Sequence, residues 1–150
     1  MEWRFLEPND FKWMMDVSRE HHRESDWSEV EYDEEKVAGY IDTAINDPNY
    51  FGIVALKDEE RIGFMAGKLL EYSFSREKFA RELDLYVVPE KRKGMAGVFM
   101  MKKFMDWAKM NGALEAYFEP RLSDNETGKF KAMAKRLGME HFANAYRRKL

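Results

Sequence analysis

The sequence contains no cysteine. That excludes disulfides and thiolate metal ligands, and it fits a reducing compartment. Low-complexity tracts, internal repeats and linker-like stretches are also missing. No apolar run approaches the roughly 20 residues of a membrane span, and the N-terminal MEWRFLEPND lacks the apolar core of a secretory leader. An excess of basic charge is absent too. The formal net charge is −3, which argues against a chain-wide nucleic-acid footprint. What remains is 45% apolar, 15% aromatic and 35% charged. A chain of 150 residues can bury roughly 70% of its unfolded surface. One domain over residues 1–150 is expected, with a real core, a well-solvated surface and a cytoplasmic location.

Periodicity sets the order of elements. Met1 to Leu6 reads as a short strand, and Pro8-Asn9-Asp10 offers a helix start before Phe11, Met14 and Met15. His21 to Tyr32 reads as a polar loop. Asp33 is a second cap, with Glu34 and Glu35 favourable in the first turn. Val37, Tyr40, Ile41, Ala44 and Ile45 form its apolar stripe. Tyr50 to Leu56 and Arg61 to Leu70 read as a hairpin around Lys57-Asp58-Glu59-Glu60. Glu82 to Val88 is a further strand, Met95 to Met110 a long helix closed by Asn111-Gly112, and Ala113 to Phe118 a strand. Ser123 and Glu126 have capping-box spacing for a last helix, and Met139 to Arg147 suits a final strand. The order β-α-α-β-β-β-α-β-α-β predicts an α/β protein of the α+β mixed-sheet kind, with helices packed on the sheet.

The stretch LYVVPEKRKGMAG, Leu85 to Gly97, is unusual. It places Lys91, Arg92 and Lys93 at a helix start, where the backbone is already positive, and no Ser, Thr, Asp or Asn stands there as a cap. An anion would balance these charges, and Gly94 and Gly97 would let backbone N–H groups approach it closely. The plain alternative is a tight turn carrying solvated charges.

With its flanks, LYVVPEKRKGMAGVFMMKKFMDWAKMNGA resembles the coenzyme-A-binding segment of the GNAT superfamily of N-acetyltransferases. Val87, Pro89, Glu90, Arg92, Gly97, Trp107, Ala108, Asn111 and Gly112 fall at matching positions without a gap. The element order is also similar, so the resemblance covers nearly the whole chain and implies a GNAT-like fold. It implies acetyl-CoA as co-substrate. Leu85, Tyr86 and Val87 would be backbone partners of the acetyl-pantetheine arm, and Val87 N–H an oxyanion donor. Arg92, Lys93, Gly94, Met95, Ala96 and Gly97 would form the pyrophosphate cradle, with Met95 where the family has its first glycine. The compact N-terminal half and acidic loop look similar to phage-borne or bacterial members.

Acetyl transfer to an amine needs a proton acceptor, a stabilised oxyanion and a leaving thiolate. Strict alternation along Glu82 to Val88 puts Glu82, Asp84 and Tyr86 on one face. Neighbouring carboxylates raise each other's pKa, which suits a base, although both could simply face water. The family's usual tyrosine acid is Ala134 here, so Tyr146, Tyr117 or water would take that role. His22, Glu24 and Trp27 are acceptor-site candidates, with His22 a further candidate base; a solvated helix end is the plainer reading. Glu29 to Glu35 could draw a cationic acceptor. Adjacent His21 and His22, with His141 distant, do not suggest a metal site. Gly63 to Leu69 hints at a P-loop but is short by one residue and lacks the Ser or Thr after Lys68. It reads better as a strand with small residues under a neighbour.

The leading expectation is an acetyl-CoA-dependent N-acetyltransferase acting by direct attack of an amine. The alternative is a catalytically weak or inactive acyl-CoA-binding protein of the same fold, motivated by Met95 and Ala134. A third reading is an α/β module that meets an acidic protein through its basic turn. The expected partner is an amine-bearing acceptor, small molecule or protein, with neither nucleic acid nor membrane. A homodimer is allowed but not demanded.

Overall fold

The computed structural model describes residues 1–120 and 124–150. It comprises two compact units, Met1–Glu119 and Pro120–Leu150. In the first unit, strands β1 (Glu2–Phe5), β2 (Tyr50–Lys57), β3 (Glu60–Glu71), β4 (Lys78–Val87) and β5 (Ala113–Tyr117) form one sheet in the order β1-β2-β3-β4-β5. All neighbours are antiparallel except β4 and β5, which are parallel. Helices α1 (Phe11–Glu24) and α2 (Glu34–Asn46) link β1 to β2, and α3 (Ala96–Met110) is the crossover from β4 to β5.

Local chemistry accounts for most boundaries. The Asp33 carboxylate accepts the Lys36 N–H at 2.9 Å and starts α2. Asp58 and Glu59 take φ of 52° and 66° in the β2–β3 hairpin, the twist a two-residue turn requires. Gly112 takes φ of 80° after α3, which favours glycine.

The sheet has a core on each face. Phe51, Ile53, Met65 and Ala80 pack with Met100 and Phe104 of α3. Val54, Phe64 and Tyr86 pack with Leu6, Met14 and Ile41 on the α1–α2 side. The glycines of the P-loop-like stretch serve this packing. A Cβ at Gly67 would lie 2.3 Å from the Phe104 ring. The stretch is therefore β3 with small residues under α3, as the sequence suggested.

Asp10 is fully buried and is the anchor between β1, α1 and β3. Arg4 binds it through two nitrogens at 2.6 and 2.9 Å, Arg61 Nε donates at 2.7 Å, and the Glu7 N–H at 2.8 Å. Burial alone would push this carboxyl up; the bonds from Arg4, Glu7 and Arg61 outweigh burial and hold it at about 2. The stabilisation is therefore present above the ordinary value of 3.8 and lost as pH falls towards 2. Asp10→Ala removes the carboxylate that Arg4 and Arg61 share, leaving Arg4 with Glu7 at 3.7 Å and the Phe5 carbonyl, and Arg61 with the Asn9 carbonyl. A loss of about 2–3 kcal/mol is expected in urea unfolding at pH 7, below the figure for a fully buried pair because both arginines keep some solvent.

Three sequence expectations need correction. Helix α1 runs on to Glu24, so His21, His22 and Glu24 stand on a helix rather than in a loop. Strand β4 starts at Lys78, well before Glu82. In the second unit, α4 (Asp124–Arg136) closes with the Met139 N–H on the Ala134 carbonyl at 2.9 Å and Gly138 at φ 73°. Residues 139–147 then form no strand. A strand exists only where a backbone ladder forms, and no ladder is recorded for these residues. The Ser123–Glu126 capping box lies outside the described residues. No described helix is long and apolar enough to cross a membrane.

Candidate active site

Strand β4 carries a bulge at Leu83. Its partners on β3 run Ala66 with Asp84, then Gly67 with Glu82, so Leu83 has no partner of its own. A one-residue insertion reverses the alternation. Opposed residues share a face. Glu82 lies opposite Gly67, beneath α3, whereas Asp84 lies opposite Ala66 and Tyr86 opposite Phe64, on the α1–α2 side. The expectation that Glu82, Asp84 and Tyr86 share one face is thus incorrect. Glu82 accepts the Glu119 N–H at 3.2 Å just beyond β5. Asp84 stands without that carboxylate neighbour.

Beyond the bulge the sheet opens. The last β4–β5 partners are Arg81 and Tyr117, and no β5 residue is registered against Glu82–Val87. The Val88 N–H bonds back to Ile62 of β3 at 3.0 Å. Because N–H directions alternate along a strand, those of Val87 and Leu85 point to the opposite, open edge.

Helix α1 brings its last turn to this place. His21 follows Met14 by two turns and therefore shares its sheet-facing side. Its Nε2 lies 2.8 Å from Asp84 Oδ1, and its ring centre 5.1 Å from that of Tyr86. The Asp84 hydrogen bond holds the His21 pKa above its ordinary value, against burial, which lowers it. The sequence expectation groups His21 with His22 and Glu24 near the acceptor but gives the base role to His22, because it ends the helix before them.

Arg92 closes the end of the gap. Its guanidinium pairs with Glu24, its Nε donates to the Val87 carbonyl at 2.8 Å, and its Cζ sits 5.2 Å from the Tyr86 ring centre. The side chain therefore spans from the basic turn to α1. Lys93, Gly94 and Met95 are exposed. Helix α3 starts at Ala96 with no side-chain cap, so its first N–H groups are available. Met95 has φ −96°, a conformation any residue adopts, and is 62% exposed, so glycine is not required there. A Cβ at Gly97 would meet only Leu85 Cδ2, at 4.0 Å. The chain's own packing does not need Gly97 to be glycine. Uncapped amides, an unneeded glycine and an open strand edge together fit an elongated diphosphate ligand bearing amide groups.

On the α1–α2 side a cleft of about 580 Å³ lies beside the His21–Asp84 pair. His22, Trp27 and Tyr32 line it, with an apolar floor that includes Phe64 and Leu83. Two of the acceptor candidates, His22 and Trp27, thus meet in one cavity, while Glu24 is held by Arg92. Tyr146 belongs to the second unit and is 95% exposed. No cluster of metal-ligating side chains occurs among the described residues.

A family model for the acetyltransferase (GNAT) family matches residues 3–139. No curated protein is significantly similar in sequence. Solved structures share the fold. A probable acetyltransferase is 15% identical with a TM-score of 0.75, covering 100% of this chain and 97% of its own. A protein described as a transcriptional regulator from Bacillus halodurans C-125 is 14% identical with a TM-score of 0.76, covering 99% of each chain. An aminoglycoside acetyltransferase from an uncultured soil metagenomic sample, in complex with sisomicin, is 17% identical with a TM-score of 0.69, covering 99% of this chain and 96% of its own.

Proposed function

Because the chain belongs to the GNAT acetyltransferase family, we propose that it transfers an acetyl group from acetyl-CoA to an amine, with His21 and Asp84 acting together as the proton acceptor. The observation that carries this reading is the His21–Asp84 pair beside the open edge of β4. The N–H groups at the start of α3 would hold the diphosphate, and the open edge at Leu85 would hold a pantetheine amide, the Val87 carbonyl already accepting from Arg92 Nε. Acetyl-CoA would supply a thioester carbon activated for attack.

The chain's residues would do the rest. Asp84 fixes the imidazole through Nε2, leaving Nδ1 to accept the proton of the attacking amine, and its charge favours the resulting imidazolium. The Val87 N–H, on the open edge, would donate to the oxyanion as its charge builds. As the new C–N bond forms and the C–S bond breaks, the thiolate leaves. A thiolate is a far weaker base than an alkoxide or amide anion and so a tolerable leaving group without a dedicated acid, which accommodates Ala134 in place of the family's tyrosine. The cytoplasm, which holds acetyl-CoA, is the compartment this reaction asks for.

The test combines calorimetry with acetyl-CoA and a thiol-release assay over a panel of amines. Binding with amine-dependent release supports the transferase. Binding without release on any amine favours the non-catalytic acyl-CoA binder, and no binding defeats both.

A further inference from the structure

Glu24 stands where a carboxylate is least welcome. It is the last residue of α1, and the C-terminal end of a helix already carries negative partial charge. Strand β4 adds the Val87 carbonyl, and the Tyr86 ring adds the negative face of its π system. A carboxylate, a carbonyl and an aromatic face thus converge, and a guanidinium sits among them. Arg92 pairs with Glu24, donates from Nε to the Val87 carbonyl at 2.8 Å, and holds Cζ 5.2 Å from the Tyr86 ring centre. The His21 ring lies 5.1 Å from the same Tyr86 ring. Charge at this place reaches His21: behind the Asp84 hydrogen bond and burial, Glu24 raises its pKa and Arg92 lowers it.

Arg92 is also drawn the other way. It belongs to the basic turn before α3, whose uncapped amides and flanking Lys91 and Lys93 call for an anion. Its Nε and one terminal nitrogen are already engaged by the Val87 carbonyl and Glu24. A planar fork cannot turn to a diphosphate without leaving them. Leaving costs little. The two side chains are 43% and 32% exposed, and an ion pair so well wetted is worth no more than about fivefold in an equilibrium constant. A multiply charged anion bound at the arginine's own turn outcompetes a single carboxylate.

We propose that Arg92 is a displaceable plug: Glu24, the Val87 carbonyl and the Tyr86 ring form the binding site for the acceptor's ammonium, Arg92 fills that site until coenzyme binds, and the coenzyme diphosphate draws the guanidinium away to open it. The inference rests on the acetyltransferase reading for the identity of the two ligands. It makes the coenzyme a prerequisite for tight amine binding. It also gives Glu24 an acceptor-binding role that its pairing with Arg92 conceals.

Calorimetric titration with phenethylamine, with and without saturating CoA, tests it. CoA carries the diphosphate but no acetyl group, so nothing turns over. The uncharged control is 2-phenylethanol. In the wild-type protein CoA should tighten phenethylamine binding at least about fivefold and leave the alcohol within about twofold. Linkage requires the amine to tighten CoA by the same factor. Arg92→Met removes the plug. It should bind phenethylamine without CoA within about threefold of wild type with CoA, because the competent state no longer has to be selected. Its coupling should fall below about twofold. Glu24→Gln releases Arg92 and should tighten CoA about two- to fivefold, while weakening phenethylamine at saturating CoA about tenfold. Coupling that survives Arg92→Met would be plain attraction between ammonium and diphosphate and would overturn the plug. So would equal coupling for the alcohol, weaker CoA binding in Glu24→Gln, or no phenethylamine binding to Arg92→Met. Thiol release from acetyl-CoA separates the plug from the catalytic reading. Coupling without release leaves the plug standing and sinks the transferase; release without coupling does the reverse.

Discussion

Asp84→Asn should lower turnover by about 10²–10⁴-fold while leaving acetyl-CoA affinity within about threefold of wild type. The asparagine keeps the size of the side chain but loses the charge that favours an imidazolium at 2.8 Å. The pH profile distinguishes this role from mere packing. A proton acceptor works when neutral, so kcat/KM for the amine should rise with pH through the His21 pKa. That pKa lies above the ordinary 6.5 because of Asp84. In Asp84→Asn the midpoint should move down and the plateau should fall. In His21→Gln the limb should vanish. Stability should respond with the opposite sense of pH. A pair that raises an imidazole pKa stabilises the fold below the unfolded value and loses that contribution as pH rises through the folded one. The stability deficit of Asp84→Asn should thus be larger at pH 6 than at pH 9. Glu82→Gln is the contrast: its carboxylate faces α3 and receives the Glu119 N–H, so turnover should stay within about threefold. A reversed ranking, with Glu82→Gln the more damaging, would move the proton acceptor to the other face of β4.

The different fates of the sequence expectations have physical causes. Hydrophobic pattern and punctuation specified α2, β2, β3 and α3: each helix has one buried side, the two strands are continuous apolar runs buried on both faces, and local start or stop signals flank them at Asp33, the Asp58–Glu59 turn and Gly112. The basic turn was legible because an uncapped helix start beside glycine has few structural explanations. The His21–Asp84 pair was not, for two reasons. Alternation through Leu83, Leu85 and Val87 looks uninterrupted, so the extra residue at Leu83 leaves no gap in the pattern; it appears only in the register with β3. The polar run His21-His22-Arg23-Glu24 also masked the end of α1. Continuing the period two turns from Met14 would have placed His21 on the sheet side.

Gly97→Glu should raise stability and abolish coenzyme binding, and the opposition of the two effects is the point of the experiment. Gly97 is the second residue of α3. Glutamate has the better helix propensity, and a negative charge suits the first turn of a helix, each by a few tenths of a kcal/mol or more. The added Cβ meets nothing closer than Leu85 Cδ2 at 4.0 Å. Lys91, Arg92 and Lys93 supply compensating charge nearby. The thermal midpoint should therefore rise by about 2–4 °C, as for roughly 1 kcal/mol in a domain of this size. The same carboxylate would stand where diphosphate oxygens must approach the amides of the loop, so CoA affinity should fall by at least about 100-fold, or 2.7 kcal/mol. Gly97→Ala should weaken binding less, because it adds bulk without charge. If glycine served the fold, both variants would melt earlier and bind CoA in proportion to the folded fraction. If the basic turn served only solubility or a protein partner, Gly97→Glu would melt later and bind CoA as well as wild type. Only a loop kept open for an anion gives a more stable protein that can no longer hold the coenzyme.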